Sequence, residues 1–152
     1  MNEEAQEIAQ QIRSYEHRDA LNFIQGWAVC PDDLLQTLNE HKPHIVHFSG
    51  DGTSTGEIVL LDSNRQPKTV NTAALKAWFS TLKDKIRVVL LNSCYSKIKA
   101  EAITEVIDCV IGMNTTIGDE AAKLFAASFY RAIGFGRSIQ DAFEQARVAL
   151  ML

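Results

Sequence analysis

An α/β fold, with a mainly parallel sheet and helices on both faces, is what this sequence predicts. Three observations carry it. Short apolar runs alternate with helix-period segments along most of the chain. One run, "IRVVLLN" at 86–92, is apolar almost throughout, as in a parallel strand buried on both faces. No internal repeat, low-complexity tract or long linker breaks the alternation. At 152 residues the chain reads as one domain over 1–152, long enough for a sizeable core.

The elements follow in order. Residues 3–17 are expected as an amphipathic helix with Ala5, Ile8, Ile12 and Tyr15 on one face. "LNFIQGWAV" (21–29) is expected as a strand, with Gly26 at a bend. "PDDLLQTLNEH" (31–41) is a short helix. Pro31 suits its first turn, Asp32 and Asp33 suit the positive end of its dipole, and Pro43 ends it. "HIVHF" (44–48) is a strand, "SGDGTSTG" (49–56) a loop and "EIVLLD" (57–62) a strand followed by the turn "SNRQP". "NTAALKAWFSTL" (71–82) is a helix capped by Asn71 or Thr72. After the apolar strand, residues 97–105 form a helix, "DCVIGM" (108–113) a strand, and 118–133 and 138–150 two closing helices.

Composition narrows the function classes. Apolar content of 46% and charged content of 22% are those of an ordinary soluble globular protein. A net charge of -4 gives no reason to expect nucleic acid or a membrane as partner. No apolar stretch approaches a membrane span, and the acidic start "MNEEAQEIAQQ" is not a secretory signal. Three cysteines cannot all pair within one chain, so a reducing cytoplasm fits better than export.

Ligands of parallel α/β sheets bind beyond the carboxyl ends of the strands. Two runs end in that way: "VHFSGDG" (46–52) and "VVLLNSCYS" (88–96). They put Asp51 and Cys94 each just past a strand. Cys94 has two readings. One is a structural thiol at the end of an apolar strand. The other is a nucleophile in a strand-to-helix turn, favoured as a thiolate by the N–H groups of a helix starting near Ser96 or Lys97.

Together "HIVHFSGDG" and "VVLLNSCYS" resemble the CHAT domain, a caspase-like family of cysteine peptidases related to separases and caspases. "WAVCPDDLLQTLNEHKPHIVHFSG", "EIVLLD" and "CVIGMNTTIGDEAAKLFAASFYRAIGFGRSIQDAF" resemble the family too, so the likeness covers nearly the whole chain. The resemblance implies a caspase-like three-layer fold. It implies a cysteine in the second loop that attacks a peptide carbonyl and a histidine in the first loop that assists it. No cofactor or metal is implied. Family members often sit in bacteria beside repeat or nucleotide-driven regulatory domains.

The family's first loop reads Ser-Gly-His-Gly, whereas this chain has Ser49-Gly50-Asp51-Gly52. Cys94 matches the nucleophile. Gly52 matches the glycine whose backbone N–H, with that of Cys94, makes the oxyanion hole. Asp51 stands where the histidine belongs. An imidazole with a pKa near ~6.5 can pair with a thiolate and later protonate the leaving amine. A carboxylate with a pKa near ~3.9 is a poor base for a thiol and has no proton to donate at neutral pH. Losing a general acid/base costs on the order of 10²–10⁴-fold in rate. The expected domain is therefore inactive or strongly impaired, a pseudo-peptidase. The alternatives are a non-catalytic module for peptide binding, protein binding or oligomerisation, and an active endopeptidase using another base.

Other candidates are weaker. His47 lies four residues before position 51, roughly 13 Å along an extended strand, and reads as a core histidine. The spacing "HKPHIVH" suggests a metal, but Pro43 interrupts a helix, and residues 44 and 47 face opposite sides of a strand. "SGDGTSTG" leads into a strand, whereas phosphate loops lead into a helix. Asp119 reads as a helix-start carboxylate; the family also allows an acid in the pocket for a basic substrate residue. Asn92 either lines the substrate pocket, as in caspase relatives, or finishes its strand by bonding the turn. Ser93, Tyr95 and Ser96 read as turn and cap residues. The family's first strand, ahead of the first helix, is missing, so strand 21–29 is expected either to pair directly with 44–48 or to leave an exposed edge. A homodimer or higher assembly would cover that edge. The expected partner is otherwise a peptide or protein, and the chain reads as a piece of a larger protein, cut at both ends.

Overall fold

The computed structural model describes residues 3–13, 21–26, 30–50, 53–55 and 57–152. The chain divides into two compact units, Gly26–Ile117 and Met1–Gln25 with Gly118–Leu152.

The first unit holds α2 (Pro31–His41), β1 (Ile45–Ser49), β2 (Ile58–Leu61), β3 (Pro67–Val70), α3 (Thr72–Leu82), β4 (Val88–Asn92), α4 (Lys97–Ile103) and β5 (Cys109–Gly112). Its main sheet is parallel in the order β1-β4-β5. β2 and β3 form a separate antiparallel hairpin. This is a mixed α/β architecture compatible with a caspase-like fold.

The centre of the sheet follows from composition. In β4, Val88 to Leu91 keep at most 1% of their surface, as a strand covered on both faces should. Val89 and Leu91 share one core with Leu34 and Leu38 of α2, Ile58 and Leu60 of β2, Leu75 and Phe79 of α3, and Ala100 and Ile103 of α4. Phe48 at the end of β1 meets Phe79 edge to face, with ring centroids 6.3 Å apart.

Local chemistry sets the helix starts. Pro31 opens α2, whose last carbonyls are closed by Lys42 in a left-handed conformation, its N–H donating to the Leu38 carbonyl at 3.0 Å. Asn71 caps α3, its side-chain oxygen accepting the Ala74 N–H at 2.8 Å.

Two expectations change. Residues 21–26 form no strand, and among the described strands β1 pairs with β4 alone. An alternating pattern becomes a strand only when a ladder partner takes its N–H and C=O groups. The remainder of that expected strand, 27–29, lies outside the described residues, as does the end of the expected first helix. Conversely, β3 was not expected. Only Val70 of its four residues is buried, so the segment carries almost no hydrophobic signal. Its turn is built by Asp62, whose carboxylate accepts the N–H groups of Asn64 and Gln66 at 2.8 and 2.9 Å.

The second unit holds α1 (Glu3–Arg13), α5 (Asp119–Gly134) and α6 (Ile139–Met151). α5 packs against both α1 and α6. Phe125 stacks on Phe129 and meets Phe143 edge to face, and Ala126, Ala142 and Ala146 are fully buried. Lys123 bridges the carboxylates of Glu3 and Glu120 at 2.5 and 2.6 Å. Among the described residues, no helix is long and apolar enough to cross a membrane.

Candidate active site

β1 and β4 run in register and finish together, Ser49 opposite Asn92. Position 51 follows Ser49 by two residues in sequence, and Cys94 follows Asn92 by two. Asp51 and Gly52 themselves lie outside the described residues. His47 sits inside β1 opposite Leu90, two residues short of the strand's end.

The turn after β4 is short, polar and buried. Asn92 keeps 3% of its surface, Ser93 6% and Ser96 none. Buried polar atoms need partners. The Ser96 hydroxyl donates to the Leu91 carbonyl and accepts the Met113 N–H, both at 2.8 Å. It therefore staples the ends of β4 and β5 together. The Lys97 N–H adds a bond to the Met113 carbonyl at 2.9 Å, and the Tyr95 N–H one to Thr115 at 3.3 Å. Tyr95 adopts a left-handed backbone, φ 55°, which costs a side-chain-bearing residue about 1–2 kcal/mol. The strapping bonds around it offset that cost. Gly112 completes the close approach: a Cβ there would lie 2.7 Å from that of Ala100 and 3.1 Å from the Ser96 carbonyl oxygen.

Cys94 is half-buried in this turn. Its Sγ donates to the Ile117 carbonyl at 3.8 Å. α4 begins at Lys97 and has seven residues, with Ser96 preceding it in a helical conformation. The expected cap is absent, because the Ser96 hydroxyl is spent on the strand ends. The Ser93 hydroxyl is buried without a hydrogen-bond partner among the described residues. All three cysteines are free thiols. Cys109 is pushed up from the ordinary thiol range by burial first, and by the charge of Asp108 second. Cys30 donates to the Asp33 carboxylate at 2.9 Å.

Asp119 belongs to the other unit. It is the first residue of α5, after Gly118 in an extended conformation, and it shares the first turn with Glu120. A carboxylate there complements the helix dipole. Among the described residues, no three His, Cys, Asp or Glu side chains gather as metal ligands.

The CHAT domain family model matches residues 1–152, and the chain belongs to that family. A "Probable protease" of Gillisia limnaea is 26% identical over 118 residues, covering 76% of this chain and 21% of that protein. A "Roc-COR-CHAT protease" of an unknown prokaryotic organism is 25% identical over 129 residues, covering 81% of this chain and 12% of that protein. The chain thus spans a small part of the length of these relatives.

Sequence reasoning overlooked the Ser96 staple and the burial of Lys99. A serine in a turn gives no sign of which strands it will join. Lysine is ordinarily read as exposed.

Proposed function

We propose that this CHAT domain is a pseudo-peptidase. It keeps a caspase-like cleft with Cys94 at the nucleophile position and is inactive or strongly impaired because Asp51 occupies the position of the general base. The observation that carries the reading is the matched end of β1 and β4 at Ser49 and Asn92. It gives both loops the same two-residue step from a common level to positions 51 and 94.

The ligand is a peptide or a protein segment. The backbone N–H groups of Gly52 and Cys94 would hold its carbonyl, and Asn92 would line its pocket. The relatives' protease names support descent from a peptide-cleaving domain.

Incubation of the wild-type chain with a diverse peptide library tests the reading. No turnover above the Cys94→Ala background is expected, together with peptide binding that survives in that variant. Rapid turnover lost on Cys94→Ala would make the domain an active endopeptidase with another base. Absence of both binding and turnover would leave a structural domain.

A further inference from the structure

A pocket of about 390 Å³ opens at the turn between α5 and α6, lined by Ala132, Phe135, Gly136, Arg137 and Gln145. All five belong to the second unit. The volume falls in the range of small-molecule sites, roughly 300–1,000 Å³. The backbone of the turn explains the opening. α5 is closed by its own chain: the Gly136 N–H donates to the Ile133 carbonyl at 2.9 Å, and the Arg137 N–H to the Ala132 carbonyl at 3.0 Å. Gly136 allows this with φ 77°, a left-handed value that favours glycine. A Cβ there would meet nothing within 4 Å, so the space beside the turn is open. The closure uses backbone donors alone, and no side chain of the turn is spent on it.

The lining combines one charge, one amide and apolar surface. The other basic side chains of α5 and α6 are engaged: Lys123 by Glu3 and Glu120, Arg131 by the Ser128 hydroxyl at 3.5 Å, and Arg147 by Glu144 at 3.2 Å. Among the described residues, the Arg137 guanidinium and the Gln145 amide make no hydrogen bond or ion pair. The Glu144 carboxylate, next to Gln145 in sequence, is already engaged by Arg147 and by Gln140 at 3.3 Å. Phe135 is 62% exposed, and Ala132, 1% exposed, gives the pocket a buried apolar wall. A planar guanidinium fork matches a carboxylate with two parallel hydrogen bonds. An amide N–H adds a further donor, and an aromatic ring takes hydrocarbon. A bare inorganic anion would leave Phe135 and Ala132 unused, and an uncharged apolar ligand would leave Arg137 unused.

We propose that this pocket binds a carboxylate carried on an apolar or aromatic body. Arg137 and Gln145 hold the carboxylate, and Phe135 and Ala132 take the body. The site uses neither Cys94 nor position 51, so it is independent of the pseudo-peptidase reading.

Backbone-amide NMR of the whole chain, titrated with phenylpropionate, tests the proposal. Saturable shifts are expected at Ala132 to Arg137 and at Gln145. Phenylpropionamide has the same body without the charge, and inorganic phosphate has charge without the body. Each should bind at least about tenfold more weakly. Arg137→Gln should weaken phenylpropionate about tenfold and Arg137→Lys about threefold, with the amides in the first half of α5 unchanged as a check on the fold. An N-acetylated dipeptide ending in phenylalanine carries the same chemistry on a chain end. Tighter binding than phenylpropionate would assign the site to a peptide terminus and weaker binding to a free small acid, and both support it. No saturable shift, equal binding of the amide or of phosphate, or Arg137→Gln equal to wild type would each overturn it.

Discussion

Ser96 ties the turn of the candidate site to the neighbouring strand. Its hydroxyl joins the end of β4 to the end of β5, and its complete burial leaves no water to replace it. Ser96→Ala strands a buried carbonyl and a buried N–H, so a loss of about 1–3 kcal/mol is expected in a urea melt. Faster alkylation of Cys94 should accompany it, because the same turn carries the thiol. Thermal and chemical stability equal to wild type would show that the staple is dispensable. Cys94 was legible in the sequence, because a thiol after an apolar strand and before a helix is a recognisable arrangement. The staple was not, because its second partner, Met113, lies seventeen residues away.

At the scale of elements, legibility followed the strength of local chemistry. Pro31 and Asn71 marked the starts of α2 and α3, and the apolar run marked β4. β3 escaped because its exposed Pro67, Lys68 and Thr69 gain strand form only from pairing with β2. Residues 21–26 failed for the opposite reason: Phe23 and Ile24 supply the apolar residues, but no ladder receives them and both stay exposed. The cap offers a direct check of local chemistry. Asn71→Ala should cost about 1 kcal/mol of stability by removing the acceptor for the Ala74 N–H, and Asn71→Ser should recover most of it. A cost below about 0.3 kcal/mol would show that tertiary packing alone holds α3.

For the molecule as a whole, pH separates the two kinds of stabilisation. The core cluster of the first unit is built of apolar side chains. In the second unit, hydrogen bonding to Lys123 and the charge of Lys123 hold the Glu3 carboxyl below its ordinary value of 4.5. A lowered carboxyl contributes stability above its unfolded value and loses it as pH falls through the folded one. Lys123 is raised, by hydrogen bonds to Glu120 and then Glu3, and its contribution persists until strongly alkaline pH. Amides of α1 should therefore lose protection as pH falls below 4.5, and less so in high salt, where an exposed pair is already screened. α1 protection equal at pH 3 and pH 7 would rule the pair out as a tether. The expected homodimer belongs to this scale too. β1 pairs on one side only among the described strands, and we propose that a homodimer or higher assembly covers its other side; light scattering should return at least twice the chain mass, and a monomer would overturn this.

We propose that Asp51, at the position of the family's histidine, disables the domain as a cysteine peptidase. The most direct test is peptide turnover at neutral pH by Asp51→His beside wild type, with Asp51→His, Cys94→Ala as the control. A gain on the order of 10²–10⁴-fold is expected for Asp51→His, abolished in the double variant. Wild-type turnover as fast as that of Asp51→His, dependent on Cys94, would contradict it.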